Sequence, residues 1–180
     1  DFGFINELSS SPDLFLTATI DLALFPSKDD VLREAFNSLK NGADQIYTAR
    51  GPHIVEYLSK EDIPVMCHLG LVPRKSSWKG GLRAIGKTVD EAMKLYDEFK
   101  TMESAGALSA ECEIITSNVM DEIYKKTNLI ISSLGSGMSG DIIYLFQNDI
   151  CGEHNDIPKH ASVFGNLLKL KQDLYNERVN

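Results

Sequence analysis

The period of the apolar positions changes repeatedly along the chain, and those changes predict its elements. Leu14–Leu24 is apolar with β-branched members Thr17, Thr19 and Ile20, and it reads as a buried strand running into Asp21. Ser27, followed by Asp29 and Asp30, starts a helix whose apolar positions Val31, Leu32, Ala35, Phe36 and Leu39 keep helical spacing until Asn41-Gly42 ends it. Gln45–Thr48 is a second short strand, and a helix over His53–Lys60 leads to a third strand at Ile63–Met66. That strand turns polar at Cys67-His68 and enters a loop with Pro73, Gly80 and Gly81. A helix start closes the loop, with Thr88 as N-cap and Glu91 three residues on. Thr88–Ser104 is strongly amphipathic, with Ala92, Met93, Leu95, Tyr96, Phe99 and Met102 on one side. Leu108–Ala110 then runs as a strand into Glu111-Cys112-Glu113. A helix over Ser117–Lys126, a strand over Leu129–Ser133 and the glycine-rich turn Leu134–Gly140 follow. Ile142–Phe146 reads equally as a strand or as the buried start of a helix. The first dozen residues, punctuated by Ser9-Ser10-Ser11-Pro12, read as a tail or loop, and residues 162–180 as a polar C-terminal helix.

Strands alternating with helices imply right-handed βαβ units and a parallel sheet. About five units are present, with strands near residues 16, 46, 64, 109 and 131. A complete (β/α)₈ barrel usually needs about 250 residues. The 180 residues here therefore allow an open doubly wound sheet or an incomplete barrel. With 43% apolar residues the chain buries one ordinary core, so residues 1–180 are expected to form a single domain.

Charge and cysteine content narrow the setting. A net charge of −8, with no dense Lys/Arg stripe, argues against a nucleic-acid partner. Cys67, Cys112 and Cys151 are odd in number and lack C-x-x-C spacing, which speaks for a reducing compartment without a disulfide framework or structural zinc. No apolar run reaches the roughly 20 residues that span a bilayer, and no basic segment precedes an apolar one at the N-terminus. The expectation is a soluble, cytoplasmic protein with no membrane partner.

The stretch Cys67-His68-Leu69-Gly70-Leu71-Val72-Pro73-Arg74, a spacer, and Gly80-Gly81-Leu82-Arg83-Ala84-Ile85-Gly86 resembles the ketopantoate hydroxymethyltransferase signature, GHLGLTPQ followed by GGY(K/R)VQG. Lys40–Asp44 is similar to that family's RAGAN, Glu111-Cys112 to its LEC, Leu134–Gly137 to its GIGAG turn, and Ile157–His160 to its IPKF. The likeness covers roughly Leu14–Lys171. It implies a (β/α)₈ barrel of the phosphoenolpyruvate mutase and isocitrate lyase superfamily, here without its first two βα units. It also implies a homo-oligomer that binds a small 2-oxo acid with Mg²⁺, takes a hydroxymethyl group from methylenetetrahydrofolate and serves pantothenate synthesis.

The resemblance assigns roles residue by residue. Glu111 matches the general base that removes a proton from the carbon beside the ketone, work that suits a carboxylate whose pKa a semi-buried site has lifted. Glu113, two residues on, is expected to face the opposite side. His68 is placed to hydrogen-bond a carbonyl or enolate oxygen, and Arg83 to hold a carboxylate bidentately. Gly135 and Gly137 belong to a turn that presents backbone N–H groups to an anion. Cys112 is expected as a small buried apolar residue. The family's metal-binding Asp of ADLPF falls on Thr19, with Asp21 two residues further as a substitute ligand. The Lys and Glu of KIEGG fall on Tyr47 and Ala49, and Arg50 follows them as a replacement positive charge. Two other readings stay open: a related C–C lyase or hydrolase of the same superfamily, or a non-catalytic paralogue or fragment that acts as an assembly subunit. A barrel short of two units also leaves strand edges to be covered by partner subunits or by the chain's own N-terminal segment, failing which it is aggregation-prone.

Overall fold

The computed structural model describes residues 2–11 and 13–179. The chain divides into two compact units, residues 1–142 and 143–180.

Helices and parallel strands alternate through the first unit. In order they are α1 (Phe2–Leu8), β1 (Thr17–Thr19), α2 (Lys28–Lys40), β2 (Gln45–Thr48), α3 (Pro52–Ser59) and β3 (Val65–Gly70). A 3₁₀ turn over Pro73–Lys79 then leads to α4 (Val89–Ser104), β4 (Ser109–Glu113), α5 (Ser117–Tyr124) and β5 (Ile130–Leu134). Each strand from β1 to β5 pairs in parallel with the next, and the two-residue β6 (Ile142–Ile143) closes the sheet order. This is the α/β class, an incomplete (β/α)₈ barrel, with each crossover from β1 to β5 carried by a helix as parallel pairing demands.

The helix starts are written into the sequence. Ser27 accepts a hydrogen bond from the Asp30 N–H at 3.1 Å and Thr88 one from Glu91 N–H at 3.2 Å, while Pro52 stands at the start of α3. Asp29, Asp30, Asp90 and Glu91 put negative charge in the first turns, where the helix dipole favours it.

Successive strand residues point to opposite faces, and here the two faces differ sharply. Ala18, Ile46, Val65, Cys67, Leu69, Ala110, Cys112 and Ile131 point to the helices and are buried with Val31, Val55, Leu58, Leu95, Phe99 and Met120. The other face carries Thr17, Thr19, Gln45, Tyr47, Met66, His68, Ser109, Glu111, Glu113 and Ser132. Its register sets His68 beside Glu111 and Gly70 beside Glu113.

Several element ends differ from the sequence reading. The strand at Ile63 begins at Val65 and runs on to Gly70, because His68 is polar only on account of the face it occupies. β1 is confined to Thr17–Thr19, since the Asp21 carboxylate folds back onto the Ala23 and Leu24 amides and makes a turn. The segment read as a tail holds α1, whose Phe2, Ile5 and Leu8 recur at helical spacing; Asp1 and Pro12 of that segment lie outside the described residues. α1 and β1 together line a cavity of about 400 Å³, so the N-terminal segment does reach this strand, although Thr17 and Thr19 stay exposed.

In the second unit, α6 (Gln147–Cys151) ends at Gly152, a left-handed residue with φ 63°. The ambiguous stretch from Ile142 thus divides into a two-residue strand and a linker before this helix. The C-terminal helix, α7 (Leu167–Val179), starts later than residue 162, where Asn166 Oδ1 accepts from the Lys169 N–H at 3.0 Å. Among the described residues no helix is long and apolar enough to cross a membrane.

Candidate active site

Neighbouring strands β3 and β4 bring three titratable side chains together on the polar face. His68 Nε2 lies 3.1 Å from Glu113 Oε2 and 3.6 Å from Glu111 Oε1. The imidazole is buried, and only 12% of the Glu111 side chain and 16% of the Glu113 side chain are exposed. One donor atom from each residue lies within 4.8 Å of the others, so the group can hold a divalent cation.

From β2, Tyr47 joins this group. Its hydroxyl sits 2.5 Å from His68 Nδ1 and donates a longer bond, 3.4 Å, to Glu111 Oε1. His68 Nε2 is also 3.0 Å from the Leu71 carbonyl oxygen. Burial raises the Glu111 pKa; His68 and the Tyr47 hydrogen bond pull it back, while the Glu113 charge adds to the rise. A carboxyl so placed is a stronger base than a solvated one.

Glu113 does not face away from Glu111. Residues two apart on a strand share a face, and β4 is regular through both, so the expectation is overturned by strand geometry itself. The chain changes direction one residue later. Ile114 has φ 49°, an unfavourable conformation for a β-branched residue. It is held by its own N–H to Leu134 O and by Ile85 N–H to its carbonyl, both at 2.9 Å.

Arg83 is placed elsewhere. Its guanidinium grips the Glu91 carboxylate at 2.5 Å and donates to the Lys79 and Ala84 carbonyls, lining a separate cavity with Trp78 and Lys94. The same carboxylate accepts from the Gly86 and Lys87 amides, and Arg83 foremost with these amides holds Glu91 down to about 2. Asp21 is also engaged: its pKa is lowered, chiefly by the Ala23 amide, and Oδ2 pairs with Arg74 at 3.3 Å. Arg50 donates to the Leu22 and Phe25 carbonyls and braces the loop before α2.

Gly135 and Gly137 both have left-handed backbones, with φ 64° and 93°. Between them, buried Ser136 donates to Cys112 O at 2.7 Å and accepts from Ile115 N–H at 2.9 Å, which ties this turn to the end of β4. Burial raises the Cys112 thiol well above its usual range and the Cys67 thiol to about 12, so neither is a thiolate nucleophile. Beside His68 a cavity of about 510 Å³ opens between β3, the 3₁₀ turn and α4, lined in part by Gly51, Lys75, Lys79 and Lys94.

Tyr47 and Glu113 are the two members of the cluster that sequence reasoning missed. The period-two count would have found Glu113; Tyr47 depends on strand register, which no local pattern supplies.

Comparison with known proteins places this geometry in context. The family profile for ketopantoate hydroxymethyltransferase matches residues 11–177. The 3-methyl-2-oxobutanoate hydroxymethyltransferase of Pyrobaculum aerophilum is 32% identical over 154 residues, covering 84% of this chain and 59% of the relative. The enzyme of the same name from Ignicoccus hospitalis is 33% identical over 131 residues, covering 70% of this chain and 49% of the relative. The chain thus spans about half to three-fifths of the length of these relatives. Among solved structures, phosphonopyruvate hydrolase in complex with oxalate and magnesium superposes with a TM-score of 0.53 at 12% identity, over 73% of this chain and 50% of that one. At that identity the likeness concerns the fold.

Proposed function

This chain belongs to the ketopantoate hydroxymethyltransferase family, and from that membership we propose that it acts on a small 2-oxo acid by proton removal beside the ketone, with Glu111 as base. The observation that carries the reading is the pairing of Glu111 with His68 on adjacent strands, in a half-buried setting that raises the carboxyl's basicity. As the C–H bond breaks, its electron pair forms an enolate and the proton passes to Glu111. His68, held at Nδ1 by Tyr47, is set to hydrogen-bond the oxygen that gains charge. In keeping with the family resemblance, we assign the one-carbon unit to methylenetetrahydrofolate: water releases it at the formaldehyde level, both C–N bonds breaking with their electron pairs left on nitrogen, and the enolate carbon adds to its carbonyl carbon to give the hydroxymethyl group. We assign the product to pantothenate synthesis. We further propose a cytoplasmic homo-oligomer.

The magnesium that the family implies does not fit the residues at its expected positions. Thr19 and Ala49 offer no carboxylate, and Asp21 is committed to two amides and Arg74. A hard cation needs oxygen ligands, so no step here runs through magnesium. Those two losses also favour a second reading, an assembly subunit without catalysis.

Deuterium exchange at C3 of 2-oxoisovalerate, followed by NMR, decides between the two. Wild type exchanges the proton, and Glu111→Gln slows this about 10²–10⁴-fold while its circular dichroism stays unchanged. Absence of exchange in the wild type would sink the catalytic reading and leave the subunit.

A further inference from the structure

We propose that His68, Glu111 and Glu113 bind one zinc-class divalent ion, a site on β3 and β4 separate from the positions where the family's wording puts its metal. Three features of the cluster lead there. First, the donors stand at the right spacing. Tetrahedral sites with bonds near 2.0–2.1 Å hold their donors roughly 3.4 Å apart, and His68 Nε2 lies 3.1 Å and 3.6 Å from oxygens of the two glutamates.

Second, His68 Nε2 is aimed into the acceptors. Nδ1 is engaged by the Tyr47 hydroxyl at 2.5 Å, which leaves Nε2 as the ring atom that faces the Glu113 carboxylate at 3.1 Å and the Leu71 carbonyl at 3.0 Å. An ion seated at Nε2 is attracted by both oxygens. Fixing the outer ring nitrogen by a hydrogen bond is also how protein sites orient a metal-binding histidine.

Third, the two carboxylates are short of compensating charge. Among the described residues neither pairs with a lysine or arginine; Lys75, which lines the neighbouring cavity, gives its ammonium to the Ala49 carbonyl. One imidazole nitrogen with carboxylate oxygens selects zinc and its first-row neighbours over magnesium, which prefers an all-oxygen octahedron. Strand pairing holds all three residues in register, so the site is built before the ion arrives. A bound ion occupies the Glu111 oxygens, making ligation and proton removal alternative states of one carboxylate.

The test is isothermal titration of the EDTA-treated full chain with zinc chloride and, separately, magnesium chloride, with cobalt absorption spectra as a second readout. We expect one zinc per chain, magnesium weaker by about 100-fold, and a cobalt spectrum without a thiolate band. His68→Asn and Glu113→Gln should each weaken zinc by about 100-fold, and Tyr47→Phe by about 10-fold. Glu113→Gln keeps shape and hydrogen-bonding length, so the test survives if His68→Asn fails to fold. The proposal is overturned if wild type takes up no zinc, if Glu113→Gln binds it as tightly as wild type, if magnesium matches zinc, or if a thiolate band places the ion at a cysteine. No oxo acid enters the titration, so its failure leaves the proton-removal reading where it stood.

Discussion

The two faces of the β1–β5 sheet are made from alternate residues of the same strands, yet they do different work. The helix-facing side is mostly apolar and closed, and its polar residues Thr48 and Ser133 are themselves buried. The other side is polar from Thr17 to Ser132, and its central pair of strands carries two carboxylates and an imidazole within bonding distance. The contrast separates stability from chemistry. Burial on one face supplies the free energy that holds donors on the other face in positions they would not adopt alone.

Phe99 is the largest fully buried side chain of the helix face, and Phe99→Ala is the hardest blow to that division. It should cost about 3–5 kcal/mol in urea unfolding, while exchange per folded molecule stays near wild type. A large fall in exchange by the folded fraction would mean that the faces are coupled. Next in size is Ile114, whose left-handed backbone is imposed at the end of the strand that carries the site. Ile114→Asn should gain about 1 kcal/mol, since asparagine tolerates this conformation and isoleucine does not; a loss would show that the side chain's packing outweighs the strain.

Glu111→Gln tests the same trade by pH. A carboxyl with a raised pKa in the folded state contributes stability that is present below its unfolded pKa and is lost as pH rises through its folded pKa. The variant should therefore melt progressively higher than wild type as pH rises from acid to neutral, with the difference flat beyond the folded pKa. Equal melting temperatures at neutral pH would show that burial of the charge is fully compensated. The smallest effect is expected for Thr17→Lys, on the exposed end of the polar face. It should stay within about 0.5 kcal/mol, and a larger loss would mark that edge as covered.

The helices and the order of strands were legible because amphipathic spacing and caps are local. Ser27 with Asp30, and Thr88 with Glu91, announce α2 and α4 several residues before their apolar stripes complete. Strand ends were less legible for a physical reason. An inward barrel face is polar, so His68 resembled the end of a strand when it was the strand's inward residue. Arg83 was read as a substrate contact because its captor, Glu91, was read only as part of a cap; the carboxylate does both, gripping Arg83 while it accepts from Gly86 and Lys87. Cluster geometry was the least visible, because Tyr47, His68 and Glu111 are separated in sequence and meet only through parallel register.

Gly70 carries one more consequence. Its backbone has φ 86°, and a Cβ there would collide with the Glu113 carbonyl oxygen and come within 2.7 Å of Ile115 Cγ1. The gap between β3 and the end of β4 is therefore set by an atom that is missing. Sequence drift can resize the helices and reword the loops without touching that distance. It cannot add even a methyl group at position 70 without displacing the strand that bears both glutamates. Gly70 thus acts as a spacer by omission: any side chain at this position must push the Glu113 carbonyl or Ile115 aside.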